Sequence, residues 1–213
     1  DTVGNHMNAN TSDSTLNTTT DTALPRSQRL KADTMQTHDV LDKRIMASKP
    51  FENTQNYTRF LQAQYAFLRD VDALYEHAGL AALLPDLQQR RRYDSIAADL
   101  HDLGAPVPAD ADTTYAPFGA QLDLATALGW LYVSEGSKLG AAILYKLAGK
   151  IGLDEHHGAR HLAGHPDGRA RHWRDFTAVL DSAPLDLDGE ARVIDGARAA
   201  FMRMHGHVEA YAE

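Results

Sequence analysis

Residues 128–146 read LGWLYVSEGSKLGAAILYK, and no other stretch constrains the fold as tightly. Its aliphatic and aromatic residues recur at helical spacing without period-two alternation, which predicts a helix from about Gln121 to Ile151. Yet Gly136 and Gly140 stand one turn apart inside it, with Gly129 further upstream. At about 100° per residue, Tyr132, Gly136, Gly140 and Ile143 share one stripe, and Gly129 and Val133 lie close beside it. Each glycine costs a helix up to about 1 kcal/mol relative to alanine, so the placement needs a compensating reason. Three are available. Small residues let another helix cross closely; the ladder loosens into a kink, with Ser137 bonding back to a preceding carbonyl; or a flat ligand lies directly on the backbone. Spacing alone leaves all three open.

The rest of the chain repeats the helical pattern. Leu30, Thr34, His38, Leu41 and Ile45 follow Pro25 at spacings of three and four, a helix ending before Pro50. A second helix is predicted over Asn53 to His77, closed by Gly79, and a third over Leu87 to Leu103. The loop GAPVPADADTTYAPFG separates these from the glycine-bearing helix. Two more helices, about His172 to Leu180 and Gly189 to Tyr211, follow the turn at HPDG. With neither hairpin signals nor sustained heptads, the expected fold is all-α, a compact single domain over residues 25–213. Residues 1–24 offer almost nothing to bury and read as a disordered arm, with DTVGNH as an expression scar before Met7.

Bulk properties exclude several functions. The 213 residues carry a net charge of -8, so no global positive field exists to hold a nucleic acid. There is no cysteine, which removes disulfides, thiolate metal sites and Cys nucleophiles. The lack of cysteine fits a cytoplasmic protein, and with neither a spanning apolar run of about 20 residues nor a signal-peptide layout, no membrane attachment is expected; a monomer is expected as well.

His38 falls on the apolar stripe of the first helix and is expected to face the interior. Lys31 lies nearly in line with it, about 10 Å along the axis. A core histidine and a solvated lysine would account for the two separately. Together they suit haem, which is flat, takes an axial imidazole and carries two propionates near one edge.

Three motifs, RLKADTMQTH around His38, GWLYVSEGSKLGAA around Gly136 and HGARHLAGHPDGRARHW from His157 to Trp173, closely resemble those of the bacterial biliverdin-producing haem oxygenases. The resemblance covers residues 25–205. It implies that haem b, at once substrate and cofactor, lies between a proximal helix and a kinked distal helix. His38 would be the iron ligand, and Gly136, Ser137 and Gly140 would lie over the haem at the oxygen site. Lys31 and Tyr132 would contact the propionates, Phe201 would complete the pocket wall, and Gln64 and Arg92 would support water near bound O2. Leu68 departs from a polar residue found in some relatives.

The implied reaction opens haem to biliverdin, mainly the alpha isomer, with carbon monoxide and ferrous iron, for iron acquisition. Without a GxGxxG fingerprint in the chain, electrons would come from an external ferredoxin or flavin reductase. A non-catalytic haem carrier or sensor on the same scaffold is the alternative, and a thiamin-degrading relative of the same fold a third. His156, His157, His161, His165 and His172 are read as a structural loop rather than a zinc site, since their spacing is irregular. Arg160, Arg169 and Arg171 are candidates to face an acidic electron donor, and Lys138 and Lys146 to hold propionates in a rotated seating.

Overall fold

A computed structural model describes residues 24–109, 121–164 and 167–212, and every regular element among them is helical. The α-helices are α1 (Arg26–Ala47), α2 (Thr54–Val71), α3 (Ala78–Leu83), α4 (Tyr93–Asp102), α5 (Leu124–Lys150), α6 (Arg169–Ser182) and α7 (Leu187–Tyr211), joined in places by short 3-10 turns. The arm before Leu24, the far half of the loop after Gly104 and His165 lie outside the described residues.

Local chemistry sets most boundaries. The side chains of Asn53, Asp123 and Asp186 accept hydrogen bonds from the backbone N–H of Asn56, Thr126 and Gly189, satisfying first-turn donors of α2, α5 and α7. Two expectations are corrected. The α-form of the second helix stops at Val71 and tightens into a 3-10 turn over Asp72–Glu76, and Gly79 lies inside α3 rather than closing a helix. His77 restarts the chain there, its Nδ1 accepting from the Leu80 N–H at 3.1 Å while Nε2 donates to the Leu122 carbonyl at 2.7 Å. A Cβ on Gly79 would sit 3.0 Å from the His77 ring, so this glycine makes room for the cap.

The segment expected as one helix from Leu87 also divides, into a 3-10 turn over Leu87–Arg90 and then α4. Three successive arginines at the break reach different partners. Arg90 turns inward to Glu135, Arg91 pairs with Asp72 at 2.7 Å, and Arg92 reaches Ser137.

Helix α7 organises the core by packing on α1, α2 and α5, whereas α1 and α5 have little direct contact with each other. Arg26 on α1 meets Glu190 on α7 at 2.8 Å, and Asp70 on α2 receives Arg203 and His207 of α7 at 2.7 and 2.6 Å. The α5–α7 crossing is closest at paired glycines. A Cβ on Gly129 would lie 2.1 Å from the Val193 carbonyl oxygen, and one on Gly196 would lie 2.6 Å from that of Thr126. Backbone contact of this kind admits no side chain.

Candidate functional site

The three explanations for the glycines of α5 divide among its positions. Gly129 serves the helix crossing. Further along, Ser137 donates from its hydroxyl to the Ser134 carbonyl at 2.7 Å, the back-bonding expected of a loosened ladder, although the α-helical form runs unbroken through Gly136 and Gly140. At Gly136 an added Cβ would meet only the Trp173 ring at 3.5 Å, and at Gly140 it would meet nothing within 4 Å. This open stretch follows directly on a thoroughly buried one, Leu128 to Glu135. Ile143, on the same stripe, is 69% exposed.

His38 corrects an expectation. It does not face the interior: its side chain is 50% exposed, because the buried stripe of α1 is centred on Leu30, Thr34 and Leu41 and His38 stands at its edge. The imidazole meets Phe201 of α7 edge-on, with ring centroids 5.5 Å apart, and its Nδ1 lies 3.4 Å from an Asp42 carboxylate oxygen. Met35, one turn before it, is also largely exposed. Lys31 is exposed two turns before His38, and no ion pair engages it among the described residues.

Tyr132 is buried against Trp173, with ring centroids 5.6 Å apart, and burial raises the pKa of its hydroxyl. Arg92 donates to the Ser137 hydroxyl at 2.7 Å and to the Ser134 carbonyl at 3.3 Å. The structure therefore brings together His38 with Phe201, and Arg92 with Ser137. Gln64, half-buried on α2, is joined to neither pair by a hydrogen bond.

Sequence reasoning missed the layer behind α5. Glu135 is buried within reach of Lys138 (2.9 Å), the Tyr75 hydroxyl (3.1 Å), Arg90 (3.3 Å) and His172 (3.5 Å). Burial opposes its ionisation most strongly, but the His172 hydrogen bond and the Lys138 and Arg90 charges outweigh it and hold the carboxyl at about 2. The signal was a single carboxylate inside the apolar run WLYVSEGS. Lys138, one of the candidates for a rotated seating, is committed here, donating also to the Arg90 carbonyl; burial brings its pKa down to about 8. Trp173, the wall beside Gly136, lay in a quoted motif without being singled out.

The histidine-rich segment is tied into the fold at two points. Nδ1 of His161 meets Asp99 at 2.7 Å, and Nε2 of His172 faces Arg90 at 3.1 Å. Two of the arginines named for an electron donor are occupied as well. Arg160 pairs with Asp102, and Arg169 donates to the carbonyls of Lys138 and Leu162; Arg171 alone is exposed.

The chain is thus all-helical among the described residues, with α5 open to bare backbone at Gly140 and α1 carrying an exposed imidazole at His38 and an exposed Lys31. The profile of the heme oxygenase family matches residues 24–210, and the chain belongs to that family, an enzyme of haem degradation. It is 47% identical over 178 residues to the heme oxygenase PigA of Pseudomonas aeruginosa, covering 84% of this chain and 88% of that one. To a heme oxygenase of Xanthomonas campestris it is 34% identical over 118 residues, 55% of this chain and 67% of the other. The NO- and CO-bound heme oxygenase of Neisseria meningitidis superposes with a TM-score of 0.82 at 42% identity, over 89% of this chain and 93% of that one. The heme oxygenase of Leptospira interrogans shares the fold, with a TM-score of 0.68 at 18% identity. Among the described residues no helix is long and apolar enough to cross a membrane.

Proposed function

We propose that this chain cleaves haem oxidatively to biliverdin, mainly the alpha isomer, with carbon monoxide and ferrous iron, using O2 and electrons from a ferredoxin or flavin reductase. The reading takes it as a cytoplasmic monomer that recovers iron from haem. The observation that carries it is the bare stretch of α5 at Gly140, open where the preceding two turns are buried.

The residues divide the work. His38 would hold the iron through Nε2, since Asp42 lies nearest Nδ1 and favours that nitrogen as the protonated one. Phe201 would fix the ring plane by its edge contact. Lys31 and the Tyr132 hydroxyl would hold the propionates. When bound, haem supplies both the iron that activates O2 and the ring that is cut. Gly136 and Gly140 would let the backbone come close to the ring and keep side chains off that face. The stripe of Tyr132, Gly136, Gly140 and Ile143 carries no imidazole or carboxylate that could act as an acid or base at that face. Arg92 holds the Ser137 hydroxyl at the margin of this stripe, with Gln64 as a further polar support for water.

The test is to mix the protein with haemin, O2 and a reductant and follow the Soret band. Replacement by bilin absorption is expected, and His38→Ala should lose it along with the imidazole-ligated spectrum. Stable reduced haem with no bilin would favour the carrier reading.

A further inference from the structure

A cavity of about 200 Å³ lies against α5 on the side of Glu135 and Lys138, between α4, α6 and the 160–164 segment. Five cationic side chains line it: Arg90, Arg92, Lys138, Arg160 and Arg169. Their partners are unevenly supplied. Arg90 and Lys138 share Glu135, and Arg160 has Asp102 with Asp99 behind it. Arg92 and Arg169 meet only carbonyls and the Ser137 hydroxyl, with no carboxylate among the described residues.

Two arginines cannot shed this charge, because guanidinium stays protonated in proteins. Burial depresses the pKa of both; at Arg92 Tyr75 and the Glu135 charge work against this, and the charge of Arg169 adds to it. Glu135, already shared by Arg90 and Lys138, is the one carboxylate acting on Arg92, and none pairs with the half-buried Arg169, so positive charge is in excess and a mobile anion is the natural complement.

The unused polar atoms narrow the ligand. Nε of Arg92 is shut off from solvent and has no hydrogen-bond partner, nor has Nε2 of His161, which is 4% exposed and also lines the cavity. With Nδ1 of His161 donating to Asp99 at 2.7 Å, Nε2 of the neutral ring is an acceptor. Burial keeps that ring neutral by lowering its pKa. The set thus offers guanidinium donors and one imidazole acceptor. A halide would leave the acceptor unused, whereas an oxyanion that keeps one hydroxyl matches both kinds of atom.

We propose that this cavity binds a small protonated oxyanion of the hydrogen phosphate type, taken between Arg92 and Arg169 with its hydroxyl toward Nε2 of His161. Neither Gly136 nor Gly140 lines the site, although Arg92 and Trp173 border both it and the glycine stripe of α5. Through Arg92 and its bond to Ser137 it nonetheless reaches the distal helix.

The full chain, haem-free and haem-loaded, is titrated with sodium phosphate and, at matched ionic strength, with sodium chloride, by calorimetry. Saturable phosphate binding in both forms, with chloride much weaker, is expected. Arg169→Gln should weaken it by about tenfold or more, and Arg171→Gln should leave it unchanged. Ser95, on the rim, provides a variant robust to loss of folding: Ser95→Glu supplies a built-in carboxylate in the first turn of α4, and should abolish phosphate binding while raising the melting temperature. Phosphate binding no tighter than chloride, or unaltered by Arg169→Gln, would overturn the proposal. Loss of binding on haem loading would also overturn it, by assigning the cavity to the propionates. The haem-free arm reads the anion site whether or not the protein turns haem over.

Discussion

Arg92 donates to the hydroxyl of Ser137 at 2.7 Å, and Ser137 passes the bond on to the carbonyl of Ser134, also at 2.7 Å. The arginine comes from the break before α4, so a loop residue fixes the orientation of a hydroxyl on α5. Both Arg92→Gln and Ser137→Ala are expected to slow turnover. If they act through this one bond, the double variant is no slower than the worse single one, with a coupling of about 1 to 2 kcal/mol. Single-turnover rates on the four proteins measure it, and simple additivity would show the two residues to be independent.

The glycines of α5 should respond oppositely. Gly129→Ala forces a Cβ onto the Val193 carbonyl, so a loss of about 4 kcal/mol or more, or failure to fold, is expected. Gly140→Ala meets open space and should stabilise the haem-free protein by up to about 1 kcal/mol. Gly140→Leu should leave the helix intact but lower carbon monoxide affinity and turnover of the haem complex. Urea denaturation and carbon monoxide titration separate the two roles. Unaltered affinity in Gly140→Leu would return Gly140 to an ordinary surface position.

The contrast explains what the sequence could and could not disclose. Helical periodicity showed all the long helices, because the apolar stripes of α1, α2, α5 and α7 are the faces that α7 joins. It missed the break at Arg91 and the restart at His77, where side chains capture distant carbonyls and carboxylates; such partners have no local signature. The motif around Gly136 was legible, but spacing could not assign Gly129 to a crossing, since its counterpart Gly196 lies on another helix. His38 was read as interior because its stripe is apolar. Only packing reveals that the buried stripe runs through Leu30, Thr34 and Leu41 and leaves His38 at its edge.

Glu135 gives the fold an acid limit. Its carboxyl titrates at about 2 in the folded protein, against about 4.3 in an unfolded chain, so the fold binds this proton less readily. The resulting stability is fully present above about pH 4 and lost as pH falls from about 4 to about 2. Glu135→Gln leaves Lys138 without its counter-charge and Arg90 with Asp86 alone, and should cost about 3 to 5 kcal/mol at neutral pH. In urea titrations across pH, the gap between the two proteins should narrow as pH falls through that window. A constant gap would mean that Glu135 contributes by shape rather than charge.

Which bridge of the ring is cut should depend on Lys31. The propionates flank the gamma-meso bridge, so if Lys31 and the Tyr132 hydroxyl hold them, the opposite bridge, alpha, would turn toward the glycine stripe. The structure distinguishes the rival cations: Lys138 is bound to Glu135 and the Arg90 carbonyl, whereas Lys31 and Lys146 are exposed. A charge-assisted contact contributes about 1.5 to 3 kcal/mol when shielded and less in water, so Lys31→Asn should mix the bilin isomers rather than switch them cleanly. Lys138→Met should lower stability without altering the isomer ratio, and Lys146→Asn should leave both nearly unchanged. Chromatography of the bilins reads the outcome. A predominantly beta or delta product from the unmodified protein would point to a rotated seating, and an isomer ratio that follows Lys146 instead of Lys31 would name the cation that holds it.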